Sequence, residues 1–437
     1  MSARIDDGTA AVAEWFDGRS DAALLLVLAV GLYALFTGVS LVLGYDLGGI
    51  VNTLRRITFL SAIYAMLVLA LNLQWGYTGL FNLGVAGFMA VGVYTMGMLS
   101  TAPTTNPPGL GLPLPIGILG GVLAAGLVGA VASLPALRLR GDYLAIVTLA
   151  FSEIVRLTYR SPVFETFSVA GLSLGTGGST GMSLPTNPIR MLFYENPQAV
   201  TSPPSAFGEA VFGTFEALGV RAPVVEGMAY AIALLFVVAG VYVLLRRVGN
   251  SPFGRVLKAI REDETVAGAL GKDTRLFKVK VFALGCGLMG LAAILWRIGG
   301  LASTEDFRPI TTFYVFVALI IGGAGSNTGS VVGGAVFASL LFEGPNFVRR
   351  VVTQYVDIGI GQTPNTIFEA VGPLASLDVT PLLAYTISDV NVSALRLVLL
   401  GVVLIYLIQN RPEGLLGHRT ETAASVDLSE RPGGEDR

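Results

Sequence analysis

The residues of this 437-residue chain that could do chemistry are few, and most sit in one stretch. It runs from Arg246 to Lys280, RRVGNSPFGRVLKAIREDETVAGALGKDTRLFKVK. The stretch holds nine basic residues against four acidic ones. At its centre lies a charged knot, Arg261-Glu262-Asp263-Glu264, flanked by apolar residues at Val256, Leu257, Ile260, Val266, Ala267, Ala269 and Leu270. That spacing predicts two short helices hinged at the knot rather than one continuous stripe. Such a pair has two physical uses: a compact plug for a groove on another protein, or a solvated loop lying on a membrane surface. The pattern alone leaves both open.

Other chemistries are excluded by what the chain lacks. Gly271-Lys272 is followed by Asp273 and lacks the upstream glycine spacing of a phosphate-binding loop, so ATP is not bound by that route. Cysteine occurs once, at Cys286 inside an apolar run, and histidine once, at His418 near the end. No intrachain disulfide can form, and a His/Cys metal site within one chain is excluded. No cofactor is expected. An intramembrane hydrolase needs a placed nucleophile, base and orienter, and neither a Ser-Lys nor a paired-Asp arrangement falls inside an apolar run. An ion-driven carrier buries acidic residues in its spans, and Glu153 is almost alone there. Glu153 and Arg156 are spaced i, i+3, so they share a helix face and can pair. A structural role is favoured, because Arg156 lies near the end of its run, where it can snorkel. Asp142 reads as a helix cap. Arg297 and the Glu305, Asp306 and Arg308 group read as interfacial charges.

The elements that carry these residues follow from composition. Apolar residues make up 53% of the chain and charged residues 13%, about half the 25% or so of a soluble domain. Mean hydropathy is +0.69. The 55 glycines suit close packing of membrane helices. A helix needs about 20 apolar residues to cross a bilayer. On that ruler, spans are predicted near 22–43, 57–73, 80–100, 115–137, 142–159, 227–246, 279–298 and 394–409. The stretch 310–343 is too long for one crossing and is interrupted from Gly322 to Gly334 (GGAGSNTGSVVGG), so it is read as two short crossings. The expected fold is all-α: a polytopic membrane protein of about ten transmembrane helices with glycine-rich broken segments, filling residues 22–410.

The Lys/Arg excess in 246–280 places that loop in the cytoplasm. Counting outward puts the Arg138-Leu139-Arg140 turn, the segment 1–21 and the tail 411–437 on the same side. Both termini are then cytoplasmic, in a multi-pass protein of the cell membrane. Arg55 and Arg56 fall on the outer side as a single violation. No removable signal peptide is expected, since the first twenty residues are polar and net acidic. The tail is expected to be disordered. Two long polar insertions, 160–226 and 344–393, fall outside. Their Pro, Ser, Thr, Asn and Gly clusters mark turns, and a species-specific decoration is favoured over a docking surface.

Two glycine-rich breaks, at 76–84 and 322–334, complete the pattern. Interrupted membrane helices expose backbone groups, tolerated only where protein or water covers them. Paired breaks in the two halves of a chain point to a substrate path, while close packing through small residues explains any single glycine as well. For Asn72 and Asn82, lining a path and bonding two helices are equally good readings.

The segment from Gly254 and Arg255 through Ala259, Ile260, Arg261, Glu262, Asp263 and Glu264 to Ala267 and Gly271 resembles the coupling loop of the branched-chain amino acid ABC permease family, LivM type. Gly76-Tyr77-Thr78-Gly79-Leu80 with Asn82-Leu83-Gly84 resembles its early glycine break. Leu139 to Leu149 with Glu153, Ile154 and Arg156 resembles its central motif. Gly322-Gly323 with Gly325-Ser326, Gly329 and Gly333 resembles its late glycine break, and Arg411 to Gly417 its C-terminal signature. The resemblance covers about three quarters of the chain, in order.

It implies a permease subunit, itself not an enzyme, that carries branched-chain or similar amino acids delivered by an external binding protein. Two cytoplasmic ATPase subunits and a second permease subunit are the implied protein partners, with membrane lipid around them and no nucleic acid. Asn72, Gly76, Gly79, Asn82, Gly84, Gly322, Gly323, Gly325 and Gly329 would then line the path. Close relatives with the same scaffold carry urea or short amides. The two insertions have no counterpart in the resemblance. Gly268 stands where a stronger helix former is expected, at a cost of about 1 kcal/mol relative to Ala.

Overall fold

The computed structural model describes residues 21–136, 142–197, 199, 202–355, 364, 366–376, 380–386, 389–410 and 413–416. The acidic N-terminal segment, the Arg138-Leu139-Arg140 turn, the side chain of Asp142, Arg411 and the tail with His418 lie outside the described residues.

The chain is a helical membrane protein. Its helices in order are α1 (Asp21–Val42), α2 (Leu47–Leu71), α3 (Val85–Ser100), α4 (Leu114–Ala136), α5 (Asp142–Arg160), α6 (Arg190–Phe193), α7 (Ala206–Glu216), α8 (Ala222–Asn250), α9 (Pro252–Glu262), α10 (Glu264–Ala269), α11 (Thr274–Arg297), α12 (Pro309–Gly322), α13 (Asn327–Val336), α14 (Gly344–Tyr355), α15 (Ile367–Val371), α16 (Thr380–Thr386) and α17 (Asp389–Asn410). Among the described residues, six helices are long and apolar enough to cross a membrane, and three shorter apolar helices stand beside them. Two small antiparallel ribbons interrupt the helical pattern. β1 (Phe167–Val169) pairs with β2 (Leu172–Leu174), and β3 (Met182–Ser183) with β4 (Leu301–Ala302).

Several boundaries differ from those the apolar runs predict. α2 starts at Leu47, ten residues before the predicted 57, because Asp46 caps it by accepting from the Gly49 amide at 2.8 Å. α2 then underwinds into a π-helical turn, Asn72–Gly76. α3 begins only at Val85, so residues 79–84 are non-helical although apolar enough to read as a span. In the late break only 323–326 leave the helix. The glycines from Gly329 to Gly334 lie within α13, which Ser326 caps by accepting from the Gly329 amide. α13 continues through a π-helical segment, Phe337–Glu343, into α14, so the first residues of the predicted 344–393 insertion, Gly344–Tyr355, are helical and continuous with the preceding helix. The first insertion ends where α8 begins, at Ala222, and holds the first ribbon, β3, α6 and α7.

α2 is the hub, almost wholly buried from Ile57 onward among α8, α11, α12 and α13. On one side α3, α4 and α11 pack backbone to backbone. A Cβ on Gly92 would lie 2.6 Å from the Cα of Gly290, and one on Gly290 would lie 2.7 Å from the Cβ of Ala125. Small residues replace bulky knobs here because contact between helices in lipid is driven by packing. α5 is amphipathic with its polar stripe turned inward: Thr148 and Ser152 are buried against α3, whereas Ile146, Ile154 and Leu157 are exposed. That is the arrangement expected when the outer solvent is hydrocarbon.

The bundle has two ends. One carries α9 and α10, the two glycine breaks and residues 413–416. The other carries the turn 43–46, the 101–113 loop, the 160–221 segment and the 298–308 loop. At this second end Arg156 bridges Glu153 (2.6 Å) and Glu305 (3.4 Å), Arg160 and Arg308 also bind Glu305, and Arg297 binds Asp306 at 2.8 Å. The expected Glu153–Arg156 pair is therefore one member of a network tying α5 to the 304–308 turn.

Candidate functional site

The site is built where the two glycine breaks meet α9. Gly79 takes a left-handed φ of +69° and Gly323 a φ of +102°, conformations in which a Cβ would clash with the backbone. They let the chain leave each helix. The freed backbone groups are then satisfied by side chains. Asn72 Oδ1 accepts from the Gly325 amide at 2.7 Å, and its Nδ2 donates to Asn327 Oδ1 at 3.3 Å. The two breaks, about 250 residues apart in sequence, are thereby joined by one side chain.

Asn82 acts within the first break. Its Oδ1 accepts from the Gly84 amide at 2.8 Å, and its Nδ2 donates to Gln74 Oε1 at 2.9 Å. Gln74 in turn donates to the Phe282 carbonyl of α11 at 3.0 Å. Thr148 of α5 accepts from the Leu83 amide at 2.9 Å, and Thr312 of α12 accepts from the Ala86 amide at 3.1 Å. The freed amides are thus bonded partly within the break, as Gly84 is to Asn82, and partly across to another helix, as Leu83 is to Thr148, in keeping with what burial requires. The second break is covered from outside, where the Leu415 and Leu416 amides donate to the carbonyls of Ile321 (2.8 Å) and Gly322 (3.1 Å).

The predicted pair of short helices is present and hinged at Asp263. Ser251 caps α9 by accepting from the Gly254 amide, and Pro252 fills its first turn. Gly254, Leu257 and Ile260 face inward and are buried, and Phe253 stacks on Phe277 at 5.2 Å. Asp263 Oδ1 accepts from the amides of Thr265 (2.8 Å) and Val266 (3.1 Å), which starts α10. Ala267 is buried, and Gly271 ends the unit with a φ of +78°. Glu264 pairs with Lys278 of α11 at 2.5 Å. Arg255, Ala259, Glu262, Val266 and Leu270 remain exposed.

One contact fuses the helix pair with the breaks. Arg261, the penultimate residue of α9, donates from Nη1 to the Gly76 carbonyl at 2.5 Å. The Lys258 ammonium lies 5.6 Å from the centre of the Tyr77 ring, within cation–π range. The structure thus brings together Asn72, Gly76, Gly79, Asn82, Gly84, Gly322, Gly323, Gly325 and Arg261. Gly329 lies one turn into α13, where its carbonyl lies against Gly322. Tyr77 and Lys258 lie inside motifs the sequence marks, without an individual role there; Gln74 is the residue sequence reasoning missed, although it carried a signal as an amide two residues from Asn72 inside an apolar run. Among the described residues no group of three His, Cys, Asp or Glu side chains is placed to hold a metal ion.

Gly76 has no room for a side chain. A Cβ there would overlap Asn72 Oδ1 and lie 2.6 Å from the Gly325 nitrogen, whereas a Cβ on Gly268 would meet nothing within 4 Å. Gly76→Ala is therefore expected to destabilise the bundle by about 1–3 kcal/mol through overpacking. Gly268→Ala should be neutral or stabilising by up to about 1 kcal/mol. Thermal unfolding of the two variants in detergent checks both.

Comparison with known proteins gives a consistent picture. The family model described as "Branched-chain amino acid transport system / permease component" matches residues 53–360. The high-affinity branched-chain amino acid transport system permease protein LivM of Escherichia coli (strain K12) is 34% identical over 271 residues, which is 62% of this chain and 58% of that protein. The probable branched-chain amino acid transport permease protein LivM of Methanocaldococcus jannaschii is 27% identical over 314 residues, 65% of this chain and 79% of that protein. The matched region thus spans little more than half of the Escherichia coli relative. No solved structure matches the chain.

Proposed function

The chain belongs to the family of branched-chain amino acid transport system permease components, and on that premise we propose that it is the membrane-spanning subunit of an ATP-driven importer of branched-chain or similar small amino acids. The solute class is that of the relatives, which are branched-chain amino acid transport permeases. A partner ATPase on the face formed by α9 and α10 supplies the energy, since this chain carries no phosphate-binding loop. A second permease subunit and an external binding protein complete the assembly. The α9–α10 end faces the cytoplasm, on the strength of its nine Lys and Arg residues, and both termini lie on that side.

The observation that carries this reading is the Arg261–Gly76 hydrogen bond. A loop that merely lay on the membrane surface would have no reason to be wired to the unwound turn of the central helix. The exposed Val266 and Leu270, 54% and 73% accessible, give a partner groove an apolar anchor. An ion-coupled carrier is disfavoured by the same structure. Its one deeply buried carboxylate among the described residues, Glu343, is held by Arg56 at 2.9 Å and by Asn346 at 3.3 Å, so its charge is already matched.

Charge reversal in the knot tests the reading. Asp263 caps α10 and Glu264 binds Lys278, so reversing them also disturbs the fold; losing the cap alone costs about 1 kcal/mol. Glu262→Lys is the cleaner variant. It is expected to reduce co-purification of the ATPase at least tenfold, the equivalent of about 1.4 kcal/mol, with membrane insertion unchanged. Full ATP-dependent uptake by the triple reversal of Glu262, Asp263 and Glu264, or uptake by the isolated chain, would sink the assignment.

A further inference from the structure

The segment between α5 and α8 has an apolar side that the protein itself leaves uncovered. In α7, Phe207, Val211 and Phe215, with Leu218 just beyond, fall on one arc by their spacing of four, four and three. The adjoining arc, Gly208 and Phe212, is buried in a small core with Phe193, Val220 and Val225. Glu209 and Glu216 occupy the opposite face. The apolar arc is thus wider than the surface that covers it. Phe207 is 57% exposed and Leu218 56%. Met191 and Leu192 of α6 are exposed beside them, held in place by the 5.6 Å contact of the Phe193 and Phe207 rings and by Ser205, which donates to the Leu192 carbonyl at 2.8 Å.

This patch is continuous with the hydrocarbon-facing belt. Met191 and Pro188 close one side of an open groove of about 470 Å³ whose other walls are Leu114, Ile118 and Leu119 of α4 and Leu291 of α11. Below it, Ile116, Leu119 and Leu123 are exposed along the outside of α4, where the bilayer lies. The small core also fixes the segment's height, because it includes Val51 of α2 and Val225 of α8, both within the first turns of spanning helices. A water-facing decoration would bury such residues; here they stay exposed beside the first turns of those spans.

We propose that α6 and α7 form an interfacial foot on the phospholipid leaflet at the end opposite α9 and α10, with Met191, Leu192, Phe207, Phe215 and Leu218 inserted at the headgroup–acyl boundary and an acyl chain in the groove under Met191. An amphipathic helix of this kind buries its apolar face about 5–10 Å deep in that boundary. Phe and Leu are typical of the apolar face of such interfacial helices. The polar segment thus braces the ends of α2, α4, α8 and α11 against the leaflet. The occupant is lipid and not a protein. The inference rests on the membrane reading of the chain and is independent of the solute and of the ATPase.

The test is fluorescence of Phe207→Trp in the full chain, reconstituted into phosphatidylcholine vesicles, with the parent protein subtracted to remove its native tryptophans. The added emission is expected to be lost in vesicles whose acyl chains are brominated near the headgroup, to persist with bromine near the chain end, and to resist aqueous iodide. Quenching by iodide without quenching by bromine overturns the proposal. So does resistance to both, which would mean a protein surface covers the patch. Leu192→Trp provides the same measurement should Phe207→Trp fail to fold. Loss of uptake with bromine quenching intact would count against the transport reading and leave this one standing.

Discussion

Arg261→Gln is expected to leave ATP hydrolysis running in the assembled transporter while solute uptake falls about ten- to a hundredfold, the range that follows from a charge-assisted hydrogen bond of about 1.5–3 kcal/mol. The reason is geometric. Arg261 ends α9 and grips the Gly76 carbonyl. Gly76 belongs to the same π-helical turn as Asn72, and Asn72 holds the second break through the Gly325 amide and Asn327. On the proposed reading, a displacement of α9 would be passed to both breaks through this chain of hydrogen bonds. Gln keeps a donor but is too short to reach the carbonyl from the same helix position.

Asn72→Ala cuts the next link and leaves the Gly325 amide buried without its acceptor, at a cost of about 1–3 kcal/mol. If the two side chains act in series, the double variant should lose little more uptake than Arg261→Gln alone. Simple addition of the two losses, or a fall in hydrolysis equal to the fall in uptake for Arg261→Gln, would mean that Arg261 only holds the fold. The measurement is the ratio of solute moved to ATP consumed in proteoliposomes.

The second large effect concerns stability. Arg56 lies nine residues into α2, about 13 Å from its start at 1.5 Å per residue, and binds Glu343 in the π-helical segment after α13. Glu343 is 2% exposed and Arg56 52%. Removing the arginine strands a carboxylate away from water. A fully buried pair broken in this way costs about 3–5 kcal/mol, and the half-exposed guanidinium lowers the expectation for Arg56→Leu to about 2–3 kcal/mol. Arg56→Leu combined with Glu343→Leu should recover most of that loss, because no charge is left unpaired. The unfolding midpoints of the parent, the two single variants and the double variant, measured in one detergent, decide the matter. Equal destabilisation by the double variant would show that the pair holds more than its own two charges.

The pairing of Arg56 with Glu343 is not legible in the sequence. Along the chain Arg56 reads as a violation of the charge rule, and Glu343 as the end of a span. Both readings depend only on the apolar neighbours of each residue in the chain. Only the packing of α2 against the helix that contains Glu343 turns two apparent exceptions into one ion pair. The same holds for the late break. Its run of glycines read as one long interruption, but Ser326 caps a helix immediately after it, and Gly329, Gly333 and Gly334 are there to let α12, α13 and α2 touch. Glycine frequency reports both unwinding and close approach, and composition does not separate them.

By itself the sequence determined that this protein lives in lipid, that it is helical, and that α9 and α10 form a hinged pair at Asp263. Those properties depend on residue type and on spacing over a few turns, which are written along the chain. Only the tertiary structure decided that Asn72 would meet Gly325, that Arg261 would close on Gly76, and that Arg56 would find Glu343. Such partners lie some 185 to 290 residues apart. The choice among many equally polar candidates is made by which helix faces can pack without leaving a backbone group unbonded in hydrocarbon.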